Sequence, residues 1–155
     1  MSTIFTRERL IDQRLEWKQA GKKVVFTNGC YDILHPGHIR LLESARSLGD
    51  ILILALNTDA SVQRLKGPTR PLVSQDERAE LAAALQAVDA VTFFDEDTPR
   101  ELIAALQPEV LVKGADYRKD EVVGGDIVES YGGKVVLAEL VPGYSTTATI
   151  ARMVR

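Results

Sequence analysis

The 155-residue chain lacks the sequence features of secreted and membrane-bound proteins. It has a single cysteine, Cys30, so it cannot form an internal disulfide and it fits a reducing compartment. No apolar run approaches the length needed to span a bilayer. Residues 1–9 lack the basic start and the apolar core of a signal peptide. We therefore expect a cytoplasmic protein with no membrane segment.

An excess of positive charge is also missing. The chain has 19 Lys and Arg residues against 22 Asp and Glu residues, a formal net charge of −3. A nucleic-acid-binding surface usually shows a basic excess, so this balance argues against such a partner. The apolar fraction of 45% and the charged fraction of 26% are typical of a soluble globular protein. We predict one domain over 1–155, with an N-terminal helix at about 7–20 and a core from about 22 to 155.

Apolar, strand-like runs alternate with helical patterns along the whole chain. The predicted strands cover residues 23–27, 50–56, 88–94, 110–112 and 134–140. The predicted helices cover residues 7–20, 37–48, 74–87, 98–107 (with Thr98 as cap and Pro99 in the first helical position), 120–131, and a C-terminal stretch that is capped by Ser145 or Thr146 and has Arg152 and Arg155 in its last turn. Residues 57–73 are predicted to form a polar, basic loop. This alternation predicts an α/β fold, a single Rossmann-like domain with about five parallel strands and helices on both faces of the sheet.

The most informative segment, residues 27–38, lies between the first predicted strand and a helix. If His35 caps the helix and Pro36 begins it, the amides of Gly37 and His38 point out of the helix N-terminus beside two imidazoles. Exposed amides, the positive end of the helix dipole and imidazole donors together suit a polyphosphate. Ligands of this fold class bind at the carboxyl ends of the strands, where this segment lies. The segment therefore predicts a nucleoside triphosphate site.

Further cationic and hydroxyl side chains occur at positions that suit phosphate binding. The cations are Lys66 and Arg70 in the predicted loop, Arg78 one turn into a capped helix, and Lys113 at the carboxyl end of a strand. The hydroxyl groups of residues 145–147 belong to a second helix N-terminus. Each feature also has a purely structural interpretation, because loop cations commonly face solvent, Arg78 can pair with carboxylates of its own helix, and Ser and Thr are ordinary helix caps.

The order and spacing of these motifs resemble a known family. Residues 26–32 followed by His35-Pro36-Gly37-His38 resemble the HxGH signature of the cytidylyltransferase-like nucleotidyltransferases, and residues 143–150 resemble the Ser-Thr-Thr helix start of the same superfamily. Residues 64–67 with Arg70-Pro71, and residues 111–117, resemble one branch, the adenylyltransferase domains of ADP-heptose synthases. The similarity runs from about Leu10 to the C-terminus.

One departure bears on the nucleotide. Glycerol-3-phosphate cytidylyltransferases lead into Ser-Thr-Thr with Arg-Thr-Glu-Gly, whereas this chain has Leu140-Val141-Pro142-Gly143. The resemblance therefore favours the heptose branch, and ATP over CTP. In many bacteria this domain is fused behind a sugar kinase, so the chain looks like a stand-alone adenylyltransferase or an excised domain.

The resemblance implies the HxGH nucleotidyltransferase fold and a reaction. The adenylyl group of ATP would pass to D-glycero-D-manno-heptose 1-phosphate, giving ADP-heptose and pyrophosphate for lipopolysaccharide or capsule biosynthesis. It implies small-molecule substrates, Mg²⁺ carried by the ATP phosphates without a protein metal cage, and a homodimer or higher homo-oligomer. The predicted catalytic residues are His35, His38, Lys66 and Lys113. The predicted ligand-binding residues are Thr27, Asn28, Gly29, Cys30, Tyr31, Asp32, Gly37, Arg70, Arg78, Gly114, Ser145, Thr146 and Thr147.

Several alternatives stay open at this point. Cys30, His35 and His38 are conceivable zinc ligands, although no fourth ligand is evident. Asp32 either points at the sugar or a metal or forms an Asx-type turn. The nearest enzymatic alternative is a cytidylyl- or guanylyltransferase acting on another small phosphate, such as glycerol 3-phosphate. The alternative from a different class is a non-catalytic nucleotide-binding module.

Overall fold

The computed structural model describes residues 3–139 and 142–153. The strands are β1 (Thr3–Ile4), β2 (Val24–Gly29), β3 (Ile51–Asn57), β4 (Ala90–Phe94), β5 (Val110–Gly114) and β6 (Lys134–Ala138). The helices are α1 (Arg7–Gln19), α2 (Pro36–Arg46), α3 (Asp59–Lys66), α4 (Gln75–Ala83), α5 (Arg100–Leu106), α6 (Gly125–Ser130) and α7 (Thr146–Met153), with a short 3₁₀ turn at Lys119–Glu121.

The strands form one parallel sheet in the order β1-β4-β3-β2-β5-β6. From β2 the chain first adds β3 and β4 on one side, and later adds β5 and β6 on the other. The winding direction therefore reverses between β2 and β5. In open parallel sheets, a crevice forms at the carboxyl ends of the strands at this reversal, and it is the usual ligand site.

Two apolar clusters cover the faces of the sheet. One joins the sheet to α1, α5 and α6 through Leu10, Leu102 and Val128, and the other joins it to α2 and α4 through Leu42 and Ala79. Continuous apolar runs are expected for strands covered on both faces, and β3 is buried from Leu52 to Asn57. The predicted α/β class is confirmed. The Leu10 and Trp17 side of α1 belongs to the core.

The structure corrects several predicted elements. The sheet has a sixth strand, β1, a two-residue edge strand too short to show a sequence pattern. The segment predicted as a loop at 57–73 contains α3, which begins where the Thr58 side chain accepts a hydrogen bond from the Ser61 amide. Helix α5 begins at Arg100 after Pro99 as its cap residue, so Thr98 does not cap it and Pro99 is not its first residue. The helix predicted at 120–131 is a 3₁₀ turn followed by the short α6.

Other predicted boundaries agree with the structure. Ser74 caps α4 by accepting from the Glu77 amide, and Arg152 lies in the last turn of α7. Helix α4 ends at Ala83, four residues before the predicted end at about 87. Three predicted positions, Leu140 at the end of the last strand, Val141 beside it and Arg155 in the final turn, lie outside the described residues.

Candidate active site

A cleft of about 720 Å³ opens at the carboxyl ends of β2 and β5. It is bordered by the loop between β2 and α2, the end of α3, the segment that follows α3, the end of β5 and the start of α7. All the predicted site residues except Arg78 line it. The two helix N-termini that the sequence singled out therefore open onto one cavity, although they are far apart along the chain.

The start of α2 contributes both histidines. His35 is the N-cap residue in an extended conformation, and its amide donates to Nδ1 of His38 at 3.3 Å. The two rings stack with their centroids 3.7 Å apart. The His38 amide donates to the His35 carbonyl oxygen at 3.0 Å, so it is not free for a ligand as predicted. The His38 amide is thus used in a 3₁₀-type bond within the first turn of the helix. Of the two amides predicted to face a ligand, only the Gly37 amide still fits that prediction.

Burial changes the charge of the two imidazoles. It lowers the pKa of His38 to about 4, with a further contribution from His35. It also lowers the pKa of His35, together with the positive charge of Arg152. Both rings are therefore neutral at pH 7 in the free protein. Nδ1 of His35 is buried without a hydrogen-bond partner among the described residues.

Local backbone geometry fixes the loop before α2. Tyr31 adopts a left-handed conformation with a φ of 49°, and its ring packs on His38 with the centroids 4.6 Å apart. A Cβ at Gly29 would lie 2.7 Å from a Tyr31 ring carbon, so any other residue there would displace the Tyr31 ring. Thr27 is buried and donates through Oγ1 to the Val112 carbonyl oxygen at 2.9 Å, which ties β2 to β5 below the cleft.

The start of α7 faces the start of α2 across the cleft. Ser145 caps α7 by accepting from the Ala148 amide at 3.0 Å. Thr146 Oγ1 donates to the Ile33 carbonyl oxygen at 3.4 Å, and the Tyr144 ring stacks on His35 with the centroids 5.8 Å apart. These contacts bring the hydroxyl groups of α7 next to the imidazoles of α2.

Asp32 and Arg70 form an ion pair at the floor of the cleft. The Arg70 Nε donates to Asp32 Oδ2 at 2.7 Å, and the Asp32 side chain is fully buried. The amides of Leu72 and Val73 donate to the same carboxylate. Burial acts to raise the pKa of Asp32, but these hydrogen bonds and the charge of Arg70 outweigh it and hold the pKa below its usual value. Asp32 is thus bound to the protein itself rather than free to hold a sugar or a metal.

Arg78 does not line the cleft, in contrast to the prediction of a ligand contact. Its fully buried guanidinium donates to the carbonyl oxygens of Cys30, Asn57 and Val73, and pairs with Asp59 at 2.9 Å. These acceptors come from three segments below the cleft, so Arg78 holds them together. The structural alternative, in which Arg78 pairs with carboxylates of its own helix, is also wrong, because its carboxylate partner Asp59 belongs to α3.

Two lysines border the cleft, one at the end of α3 and one near the end of β5. Lys66 is the exposed last residue of α3. Lys113, near the end of β5, lies with its Nζ 3.4 Å from the Asn28 carbonyl oxygen and 5.5 Å from the centre of the Tyr117 ring. Burial lowers the pKa of Lys113 to about 8. Its ammonium group lies between the ends of β2 and β5, where the winding direction of the chain reverses.

The cleft also contains residues that the sequence analysis did not assign to the site. These are Leu41, Asn57, Leu65, Phe94, Asp97, Thr98, Pro99, Asp116, Tyr117, Val123 and Tyr144. Asp116 and Tyr117 lie in the segment 111–117 that carries the family resemblance, and Tyr144 precedes the Ser-Thr-Thr start, so their neighbourhood was the available signal. Asn57 ends β3, and Asp97 follows β4, which places them at the same edge of the sheet.

Cys30 does not form part of a metal cluster. Its Sγ lies 3.7 Å from Asn57 Oδ1, and burial raises the pKa of its thiol. Within residues 3–139 and 142–153, no group of three or more His, Cys, Asp or Glu side chains is arranged to hold a metal ion. In the same ranges, no helix is long and apolar enough to cross a membrane.

The fold and the cleft define an α/β domain in which two helix N-termini, distant along the chain, open onto one cavity. Residues 26–152 match the Cytidylyltransferase-like family, and the chain belongs to that family. The membership predicted from the HxGH and Ser-Thr-Thr motifs is confirmed.

Curated relatives are similar over nearly the whole chain. The chain is 57% identical over 152 residues to the bifunctional protein HldE of Syntrophotalea carbinolica, a match that covers 98% of this chain and 31% of the relative. It is 61% identical over 137 residues to HldE of Caulobacter vibrioides, covering 88% of this chain and 28% of the relative. The chain thus spans about a third of the length of the curated relatives it matches. The predicted resemblance to the heptose branch is confirmed by these matches.

Solved structures share the fold. The lipopolysaccharide core biosynthesis protein of Thermoplasma volcanium superposes with a TM-score of 0.64 at 27% identity, covering 78% of this chain and 98% of the other. The pantoate-beta-alanine ligase of Francisella tularensis, solved with a β,γ-ATP compound and β-alanine, superposes with a TM-score of 0.64 at 16% identity, covering 90% and 67%. At 16% identity, the second likeness concerns the fold alone.

Proposed function

We propose that this protein transfers the adenylyl group of ATP to D-glycero-D-manno-heptose 1-phosphate. A phosphate oxygen of the sugar phosphate attacks the α-phosphorus of ATP, the bond from that phosphorus to the bridging oxygen breaks, and pyrophosphate leaves. The products are ADP-heptose and pyrophosphate. The proposal rests on one observation above all, the convergence of the His35–His38 and Ser145–Thr147 helix starts on one cleft. The similarity to bifunctional HldE proteins and the resemblance of residues 64–67, 70–71 and 111–117 to ADP-heptose synthases support the choice of nucleotide and acceptor.

The nucleophile needs no strong base, because the sugar phosphate already carries negative charge. Catalysis then depends on positioning and on stabilising the charge that develops on the α-phosphate and the leaving pyrophosphate. We assign this task to His35 and His38 at the start of α2, and to Lys113 at the end of β5. A polyphosphate beside the neutral imidazoles raises their pKa, so we expect them to take up protons as the ligand binds.

We assign the remaining ligand contacts to the two rims of the cleft. The hydroxyl groups and the helix N-terminus at Ser145–Thr147 suit the β- and γ-phosphates. Lys66, at the end of α3, is exposed and long enough to reach a phosphate in the cleft. We assign Arg78 no ligand contact and regard it as the residue that holds the floor of the cleft together.

Mg²⁺ is proposed as a companion of ATP. The carboxylates of the cleft fit this role. Asp97 and Asp116 line the cleft, but they belong to no cluster of three or more potential ligands among the described residues, so the phosphates would supply other ligands of the ion. When bound, the ion would neutralise part of the phosphate charge. The protein would hold the nucleotide, and the nucleotide would hold most of the ion's coordination.

We also propose a cytoplasmic location and a homodimer or higher homo-oligomer. A nucleotide-sugar synthase draws on the cytoplasmic pool of ATP, and the lone Cys30 fits a reducing compartment. Most of the apolar side of α1 packs on the core. Leu15 of the same helix is 55% exposed and could contact a second copy of the chain. Light scattering on the eluting peak of a sizing column tests the oligomeric state.

The substrate proposal is tested by pyrophosphate release. The protein is incubated with Mg²⁺ and ATP, CTP or GTP, each against heptose 1-phosphate, glycerol 3-phosphate and other sugar phosphates. We expect turnover with ATP and heptose 1-phosphate to exceed every other pair by at least about tenfold. Activity with CTP and glycerol 3-phosphate, in the absence of activity with the heptose, would contradict the proposal.

A second experiment separates catalysis from simple binding. In His38→Ala, we expect the affinity for ATP to stay within roughly tenfold of the wild type while kcat falls far more, because the imidazole acts mainly on charge that develops in the transition state. Gln19→Ala, an exposed substitution at the end of α1 that does not line the cleft, serves as the control for handling and folding. Equal losses in affinity and in kcat would favour a non-catalytic nucleotide-binding module.

A further inference from the structure

The buried ion pair of Asp32 and Arg70 holds two loops together, and its geometry also fixes the direction of the Arg70 guanidinium. We propose that Asp32 is a positioning residue that aims the guanidinium of Arg70 at a phosphate group of the bound ligand. The proposal rests on the proposed function, and it names a residue that acts through another rather than on the substrate itself.

The carboxylate of Asp32 is fully engaged by the protein. Its side chain has no exposure to solvent. Oδ1 accepts from the Leu72 amide at 2.8 Å and from the Val73 amide at 2.9 Å, and Oδ2 accepts from Arg70 Nε at 2.7 Å. A buried carboxylate with these donors stays ionised and cannot also coordinate a metal or a sugar hydroxyl without giving up a bond.

The guanidinium of Arg70 is engaged on one side alone. Its Nε is bonded to Asp32, while neither Nη1 nor Nη2 donates a hydrogen bond to any residue in the described ranges. The side chain lines the cleft and keeps 14% exposure. A guanidinium is a rigid planar fork, so fixing its Nε fixes the direction of the two Nη groups. The free Nη groups match the oxygens of a phosphate, which a guanidinium binds with two parallel hydrogen bonds.

The surroundings explain why Asp32 rather than the loop alone controls this direction. Arg70 lies in the connection between α3 and α4, whose end is fixed by the bonds of Leu72 and Val73 to Asp32. Asp32 follows β2 directly through the strained loop at Tyr31. One carboxylate therefore relates the position of Arg70 to the start of α2, where the phosphates of the proposed substrate lie.

The test is a double-mutant cycle on the full chain with Asp32→Asn, Arg70→Met and the pair. Asn keeps an oxygen that can accept from the Leu72 and Val73 amides, but it loses the charge that orients Arg70. We expect kcat/KM to fall by about 10- to 100-fold in Arg70→Met, the size expected for a charge-assisted hydrogen bond, and by about tenfold in Asp32→Asn. In the Arg70→Met background, Asp32→Asn should lower kcat/KM by no more than twofold further.

The matched control is Asp120→Asn, which alters an Asp–Arg pair with Arg118 that is exposed on both sides. It should leave kcat/KM unchanged. The substrate whose KM rises in Arg70→Met, ATP or the sugar phosphate, identifies the phosphate that Arg70 contacts. Equal effects of Asp32→Asn in both backgrounds would overturn the proposal, because Asp32 would then act through the loop backbone and not through Arg70.

Arg70→Lys covers the case in which Asp32→Asn does not fold. Lysine keeps the charge but not the planar fork, so we expect at least a tenfold loss, and activity within twofold of the wild type would overturn the proposal. If the wild type uses none of the tested substrate pairs, the proposed function fails by itself. The cycle is then followed by calorimetric affinity for α,β-methylene-ATP, in which the same non-additivity supports the role of Asp32 and its absence overturns it.

Discussion

Substitution of Gly37 by alanine should separate the activity of this protein from its stability. Gly37 lies in the first turn of α2, between the ring of His35 and the segment that carries Tyr144. A Cβ added there would lie 3.0 Å from two ring atoms of His35 and 3.1 Å from the Tyr144 Cβ. Both contacts are shorter than an ordinary van der Waals contact, so His35 and Tyr144 must each move by a few tenths of an ångström.

The effects on stability and on activity differ in size. Replacing glycine by alanine in a helix stabilises it by about 0.5–1 kcal/mol, which offsets the crowding. His35 is stacked 3.7 Å from His38, so its ring has little room to retreat without leaving the stack. A misplacement of about 1 Å at a reacting centre costs about 100-fold in rate, so a smaller shift gives about 10- to 100-fold.

The measurements are kcat from pyrophosphate release and Tm from thermal unfolding. We expect Gly37→Ala to lower kcat by about 10- to 100-fold while Tm stays within a few degrees of the wild type. Gly125→Ala is the matched control, since its Cβ would lie 3.1 Å from a Val135 methyl group and neither residue lines the cleft. It should change Tm and leave kcat within twofold. A kcat of Gly37→Ala within twofold of the wild type would refute the assignment of His35 to the reaction.

Two further predictions concern buried cations. Burial lowers the pKa of Lys113 to about 8, so kcat/KM should fall as the pH rises above about 8 and the free enzyme loses this charge. This alkaline decrease should disappear in Lys113→Met. A decrease with the same midpoint in the variant would contradict the role of Lys113. Arg78→Met should lower the free energy of unfolding by about 3–5 kcal/mol, because it removes the donors to three carbonyl oxygens and leaves them without partners. Denaturant titration measures that loss, and Arg118→Met, at an exposed ion pair, is its control. A loss below about 1 kcal/mol would contradict the prediction and show that water or a neighbouring donor replaces the guanidinium.

Local patterns predicted most of the secondary structure because they report on burial and on backbone donors close in sequence. The run from Ile51 to Leu56 was recognisable as a strand covered on both faces, and β3 has that burial. Helix α3 was missed because it is only eight residues long and mostly polar, and its buried residues are Ser61 and Val62. The strand β1 was missed because two residues at an edge show no pattern.

The same limit applies to the candidate site. The His35 and Ser145 helix starts were identifiable because a cap, a proline and a short motif are local features. The partners of Arg78 were not, since its carbonyl acceptors lie at Cys30, just after β2, and at Asn57, the end of β3. The role of Asp32 stayed open for the same reason, because its partner Arg70 is 38 residues away.

The sequence alone determined the alternation of strands and helices, the two helix starts with their histidine and hydroxyl side chains, and the family. Each of these depends on residues within one turn or one strand of each other. The tertiary structure decided that the two helix starts meet, through a contact between residues 113 positions apart. It also decided that both imidazoles are neutral and that Asp32 faces Arg70. These properties depend on the order of strands in the sheet and on burial, which no local pattern encodes.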